Sequence, residues 1–368
     1  MTPTVHEGLA GVVAGTTAIS LQDGERSRLT YRGYPVEDLA RRCSYEQVAH
    51  LLLRGELPDA AQLDAFRAAE RRRRALSPTM LDVLESCHPS AHPADTLQAV
   101  LAAAGGEWLA TVDADDVDAA IGLIAVTPTI LAHDAWRTAG EWPPPAPDPG
   151  RGLAENLLWM MSGEEPDPDA VRALEVSLIL YAELGFNAST FTARAVISTG
   201  AGLHGAVVAA LSALRGPLHG GANERAWAAM RAIGTPERAA GWVRAERDAG
   251  RRVTGFGHRV FRARDPRAAP MRQALAAVAA TRGGERWLAV HDALAAAMAE
   301  QTGIPPNVDL AAGAAYHLLG FPDEAFTGLF AVGRMAGWCA HALEQRERRH
   351  IVHPLAAYTG PPTREVPA

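Results

Sequence analysis

Apolar residues three and four positions apart recur along almost the whole of this 368-residue chain, while runs alternating apolar and polar every second residue are nearly absent. Such a chain can bury its apolar surface only by packing helices on one another, so the expected class is mostly all-α. The helical runs are Tyr45–Leu53, Ala60–Leu76, Thr96–Ala104, Asp116–Arg137, Asn156–Met161, Ala170–Leu184, Ala206–Leu214, Glu224–Ile233, Pro236–Glu246, Pro270–Thr281, Arg286–Gln301, Ala311–Leu318 and Ala325–His341. Their Ala, Leu and Arg residues lose little freedom in a helix. Asp169 is placed to cap the run that begins at Ala170, and Pro236 sits near a helix start. The exception comes early: Ile19-Ser-Leu21, an Asp23-Gly24 turn and Leu29-Thr-Tyr31 read as one short N-terminal β-hairpin. The segment Gly140–Gly152, GEWPPPAPDPGRG, favours extended, solvated chain. The helical pattern resumes on both sides of it without a change in composition, so it reads as a surface loop.

The length suffices for a large core and a second domain. Against 35 basic residues stand 42 acidic ones, a formal net charge of −7, so the chain has no general attraction to nucleic acid or anionic lipid. The basic run Arg71–Arg74 is read as the wet face of a surface helix. There is no lysine, which excludes a Schiff-base or phosphate-loop lysine. Cys43, Cys87 and Cys339 are far apart and odd in number, forming neither a disulfide framework nor a zinc-ligand cluster. The start lacks the basic and long apolar regions of a signal peptide, and no stretch of about 18 uninterrupted apolar residues occurs. The expectation is a cytoplasmic protein with no membrane span.

Glycine, histidine, aspartate and arginine concentrate between positions 215 and 309. Three motifs stand out: Arg215-Gly-Pro-Leu-His219-Gly-Gly-Ala-Asn223, Gly255-Phe-Gly-His258-Arg-Val-Phe261 and Pro306-Asn-Val-Asp309, with Asp265-Pro-Arg267 close after the second. A glycine-flanked histidine sits on backbone that can approach a ligand closely. Two such imidazoles and a loop carboxylate supply two hydrogen-bond donors and a base. Those parts remove a proton next to a carbonyl and stabilise the enol that results. Nearby arginines can grip carboxylates in a fork. Competing motifs are weaker. Gly200-Ala-Gly-Leu-His-Gly205 matches a dinucleotide fingerprint but lacks the parallel sheet that fingerprint needs, so it reads as a helix start. His88 and His92 have metal-like spacing but no third ligand. No metal and no serine nucleophile is expected.

At these motifs the chain resembles the citrate synthase family, and the likeness runs from about residue 8 to residue 360. It includes Leu29-Thr-Tyr-Arg-Gly-Tyr34, Leu51-Leu-Leu-Arg-Gly-Glu-Leu-Pro58, Phe186-Asn-Ala-Ser-Thr-Phe191, the three motifs above and Ala357-Tyr-Thr-Gly360. The resemblance implies a two-domain helical fold, with residues 1–223 and 324–368 forming a large domain and residues 224–323 a small domain that closes over the substrates. It implies an acyltransferase that joins an acyl-CoA to oxaloacetate or a related 2-oxo acid, then hydrolyses the condensed thioester and releases CoA. By the same resemblance His219 hydrogen-bonds the thioester oxygen, Asp309 removes the α-proton and His258 polarises the ketone. Arg267 and Arg334 hold the oxo acid's carboxylates, Asn187 lies in the substrate-binding set, and a homodimer is implied, with the CoA thioester a substrate rather than a resident cofactor.

Two positions depart from the family's pattern. Leu184-Gly185 stands where the family has a histidine and an acid, that histidine being an oxo-acid contact. His353, in Ile351-Val-His-Pro354, replaces an arginine that reaches the neighbouring subunit's substrate. Losing a charge-assisted contact costs about 1.5–3 kcal/mol. Three readings follow: a citrate synthase using oxaloacetate, a condensing enzyme diverged to another 2-oxo acid, and a non-catalytic dimer that binds CoA or a metabolite.

Overall fold

The computed structural model describes residues 5–9, 11–111 and 116–367. Met1–Thr4, where the segment read above for a targeting signal begins, lie outside the described residues. Strands β1 (Ser20–Asp23), β2 (Arg28–Tyr31) and β3 (Tyr34–Pro35) make a small antiparallel sheet. The helices that follow are α1 (Val36–Arg42), α2 (Tyr45–Arg54), α3 (Ala60–Arg71), α4 (Pro78–Ser86), α5 (Pro93–Thr111), α6 (Asp116–Ala139), α7 (Leu153–Ser162) and α8 (Pro168–Tyr181). Then come α9 (Ala188–Ile197), α10 (Leu203–Arg215), α11 (Ala222–Ile233), α12 (Ala239–Asp248), α13 (Ala268–Thr281), α14 (Glu285–Thr302), α15 (Val308–Leu318) and α16 (Phe326–Arg348). The mostly all-α expectation holds, and the fingerprint-like glycines open α10, with Gly202 as its cap residue.

The structure corrects several local readings. The hairpin gains a third strand, and its register pairs Asp23 with Arg28, leaving a four-residue turn over 24–27. The Asp23 carboxylate causes the widening: it accepts the Arg26 N–H at 3.0 Å and the Arg26 guanidinium at 2.9 Å. Asp167, not Asp169, caps α8, accepting the N–H groups of Asp169 and Ala170, because Pro168 takes the first helical position. Arg74 is not on a wet face. It is buried and forked onto Glu70 one helical turn back, at 2.8 and 2.7 Å.

Two long helices form the centre. α6 is long and apolar enough to cross a bilayer by composition, but 78% of its apolar window is buried inside the fold, as in a core helix. α16 is buried over most of its length and packs across α6, α8, α9 and α10. Its approach to α8 is very close. Cβ atoms built on Gly333 and Gly337, one helical turn apart, would lie 3.0 Å from Leu178 O and 2.2 Å from Ala182 O. Only glycine lets α16 lie directly on the α8 backbone there. That contact carries Arg334, between the two glycines, to the end of α8, where its Nε donates to Tyr181 O at 2.5 Å.

Candidate active site

The site is assembled where α8 ends, α15 and α16 begin, and two loops fold back. The loop at 255–258 is joined to the loop at 305–307 by a short antiparallel bridge, Phe256 to Pro306. Gly257 N–H donates to Pro305 O and Asn307 N–H to Gly255 O, both at 2.9 Å. Gly255 and Gly257 take φ values of 93° and 72°, which glycine adopts without the strain a side chain would bring. Asn307 ties the loops to α15: its Oδ1 caps the helix by accepting Asp309 N–H at 3.0 Å, and its Nδ2 donates to Gly257 O at 2.9 Å. His258 and Asp309, far apart in sequence, are thereby fixed to one frame.

His258 Nδ1 accepts the backbone N–H groups of Val260 and Phe261, each at 3.1 Å. A backbone N–H can only donate, so the ring proton sits on Nε2. Burial, reinforced by Arg267 and opposed by Asp265, lowers the His258 pKa to about 4, so the ring is a neutral donor near pH 7. His219 follows the same logic in mirror image. Its Nε2 accepts Ser189 N–H at 3.3 Å and lies 2.8 Å from Ser189 Oγ, which leaves the proton on Nδ1. Burial, then Arg334, lowers its pKa to about 4 as well. Ser189 Oγ accepts Trp338 Nε1–H at 3.1 Å and lies 2.8 Å from Asn187 Oδ1. Asn187 caps α9, with its Oδ1 on Thr190 N–H and its Nδ2 on Thr190 Oγ1. The structure therefore places Asn187 behind Ser189 and His219.

Tyr181 donates to Asp309 Oδ1 at 2.5 Å. Burial is the main influence on Asp309 and raises its pKa above the usual carboxylate range, while Tyr181 and Arg267 pull the other way. A desolvated carboxylate of raised pKa is a stronger base than one in water. Phe330 joins the halves of the site, its ring centroid 4.5 Å from Tyr181 and 6.1 Å from His219. The Arg334 guanidinium lies 4.8 Å over the same ring. Arg334 is fully buried, and among the described residues neither of its Nη nitrogens has a hydrogen-bond partner. Burial lowers its pKa to about 10, with Glu183 opposing, so it remains a cation near pH 7. Arg267 has Nε and Nη2 forked onto Asp265 at 3.0 and 2.8 Å. Burial opposes its charge, but Asp265 outweighs burial and raises the pKa. The unpartnered Nη pair of Arg334 is a buried fork suited to a carboxylate.

Of the residues singled out in the sequence, His219, His258, Asp309, Arg267 and Arg334 share this neighbourhood through Phe330, Tyr181 and Asp265. His353 does not enter it. It lies exposed in the tail after α16, where it lines a cavity of about 760 Å³ with Leu9, Val12 and Phe191. Leu184 is partly buried against the core, and Gly185 takes φ 53°, where a Cβ would lie 2.7 Å from Gln22 Nε2. Sequence reasoning missed Tyr181, Asp265, Ser189 and Glu183. Glu183 is buried just past α8, accepting Ser20 Oγ and His341 Nε2 at 2.8 Å each. Only the Asp-Pro-Arg run offered a signal for Asp265. Among the described residues, no group of three or more His, Cys, Asp or Glu side chains gathers as a metal site.

The family described as citrate synthase, C-terminal domain, matches residues 8–355. The chain belongs to the citrate synthase family. As a citrate synthase-type chain it is an enzyme, an acyltransferase. It is 46% identical over 371 residues to the 2-methylcitrate synthase of Mycobacterium tuberculosis (strain ATCC 25618 / H37Rv), covering 99% of this chain and 93% of that relative. It is 45% identical over 371 residues to a citrate synthase of Mycolicibacterium smegmatis, covering 99% and 97%. Among solved structures, the citrate synthase of Thermotoga maritima MSB8 superposes with a TM-score of 0.89 at 33% identity, covering 99% and 98%. The citrate synthase of Thermoplasma acidophilum, solved as a ternary complex with carboxymethyl coenzyme A and oxaloacetate, gives 0.91 at 27% identity, covering 99% and 98%.

The two low-pKa imidazoles of this cluster make stability depend on pH. An unfolded histidine titrates near 6.5, while His219 and His258 titrate near 4 in the fold. As pH falls from 6.5 toward 4 the unfolded chain binds more protons, so the stability carried by the neutral rings is complete above 6.5 and is lost across that window. Asp309, with its raised pKa, works in the opposite sense. Urea unfolding is expected to show a falling midpoint across the window and a shallower fall in His258→Gln. Equal slopes would mean that the fold does not hold the ring neutral.

Proposed function

We propose that this chain condenses an acyl-CoA with oxaloacetate or a close 2-oxo acid, using Asp309, His219 and His258 in three separate roles. Asp309 takes the α-proton of the thioester while His219 Nδ1–H donates to the thioester oxygen, so charge on the enol is met as it develops. The enol carbon attacks the ketone carbon of the oxo acid. His258 Nε2–H polarises that ketone and protonates the new alkoxide. Water then cleaves the condensed thioester and releases CoA. Arg334 and Arg267 hold the oxo acid's carboxylates. The observation that carries the reading is the pair of neutral imidazoles whose proton positions are set by backbone N–H groups, in the same neighbourhood as a desolvated carboxylate.

The proposal includes closure of residues 224–323 over the site, a cytoplasmic setting and no resident metal or redox cofactor. It also includes a homodimer in which His353 of the partner subunit approaches the site, where the family has an arginine. Release of CoA thiol with acetyl-CoA or propionyl-CoA and a panel of 2-oxo acids tests the reading. Release with oxaloacetate supports it, and no release with any pairing would favour a binding protein.

Leu184 and Gly185 favour a second reading, in which the pocket takes a 2-oxo acid other than oxaloacetate. Under it, Leu184→His combined with His353→Arg is expected to raise kcat/KM for oxaloacetate by about tenfold or more, one regained charge-assisted contact being worth roughly 1.5–3 kcal/mol. An unchanged kcat/KM would count against it.

A further inference from the structure

The tip of the N-terminal hairpin has no part in the chemistry above, yet it touches the loop that carries His258. A Cβ built on Gly24 would lie 2.5 Å from Val260 O and 3.2 Å from the carbonyl carbon. The turn and the loop thus meet backbone against backbone, which only glycine permits. Three residues on, Ser27 Oγ accepts the Arg264 N–H at 3.2 Å. Ser27 is buried and takes φ 49°, a left-handed conformation in which glycine or asparagine would be easier. For the turn alone serine is a poor choice; its hydroxyl serves the loop.

These contacts reach the imidazole in one further step. Val260, whose carbonyl rests on Gly24, also supplies an N–H to His258 Nδ1, and the Phe261 ring stacks on the imidazole with centroids 4.6 Å apart. The hairpin is in turn anchored to the end of α8. Tyr31 hydroxyl lies 2.9 Å from Glu183 O, and Ser20 Oγ donates to the Glu183 carboxylate. In the division proposed above, the turn belongs to the large domain and the His258 loop to the small one, so the contact crosses the boundary that closure would bring together.

We propose that the 24–27 turn is the seat on which the His258 loop lands, and that Gly24 and Ser27 are positioning residues that aim His258 Nε2–H at the ketone of the oxo acid. The inference rests on the role given to His258 and adds the surface that sets its aim.

The test uses the full chain and oxaloacetate labelled with carbon-13 at the ketone, whose chemical shift when bound reports polarisation. Ser27→Gly relaxes the left-handed turn and removes the acceptor. It is expected to match or exceed the parent in thermal stability, to lose kcat by about tenfold, and to move the ketone signal toward its free position. Gly24→Ala, whose Cβ cannot fit against Val260 O while the loop is seated, is expected to lose kcat by about tenfold to a hundredfold and to move the ketone signal the same way, while KM for acetyl-CoA changes less than about threefold. Ser27→Asn, which tolerates the backbone and keeps an acceptor, is expected to stay near the parent. Parent-like kcat and ketone shift in Ser27→Gly and Gly24→Ala would overturn the proposal, as would a loss of stability with the shift intact. His258→Gln separates this from the reading beneath it: a bound ketone still fully polarised without the imidazole would overturn the role of His258 itself.

Discussion

Asp309→Ala is expected to lower kcat by about 10²–10⁴-fold, the range a positioned general base contributes, while oxaloacetate still binds. The separation follows from the geometry. Asp309 is held at the head of α15 by the Asn307 cap and by Tyr181, and burial raises its pKa against the opposing pull of Tyr181 and Arg267. The oxo-acid carboxylates are assigned to Arg334 and Arg267 instead. Alanine therefore removes the base and leaves the clamp. Calorimetry should give a dissociation constant within about threefold of the parent, with turnover read as thiol release. Unimpaired turnover would mean the base lies elsewhere, and lost binding would mean that Asp309 shapes the anion site. Tyr181→Phe is the companion variant. Without its hydroxyl one carboxylate oxygen loses its donor, and the rate should fall by less than with alanine.

Arg334→Ala is expected to weaken oxo-acid binding by about 2–5 kcal/mol, a rise of at least roughly thirtyfold in dissociation constant. The guanidinium is fully buried, with Nε committed to Tyr181 O and both Nη nitrogens without a partner among the described residues. A cation so placed meets a carboxylate with two parallel donors and little competition from water. Arg334→Lys keeps a charge but lacks the planar fork, so it should recover only part of the affinity. Calorimetric titration with oxaloacetate decides the matter, and an unchanged constant in Arg334→Ala would remove Arg334 from the clamp.

How much of this was readable from the sequence depends on the distance over which each feature is set. Helices were legible because their signal repeats every three or four residues, and the hairpin because its two short runs flank a turn. Misplaced details were those decided by a side chain reaching past its neighbours. Asp23 organised a wider turn than Asp-Gly alone suggests, and Glu70 drew Arg74 out of water. In the site, glycine-flanked histidines announced themselves by type. Tyr181 did not, since a tyrosine ending an apolar helix reads as core until Asp309 is seen against it. Ser189 and Asn187 lay in a matching motif, yet their work, fixing which nitrogen of His219 holds the proton, depends on a contact across 30 residues of chain. Convergence of His258 and Asp309 rests on a bridge between two loops that no local pattern encodes.

The two glycines that lay α16 on the α8 backbone have a consequence for how substrate is received. With no side chain between the helices, neither can slide or roll without driving a carbonyl into a Cα, so the arginine between those glycines is immobilised when the chain folds. An arriving anion meets a receptor that is already ordered and loses less entropy in binding than it would to a swinging side chain.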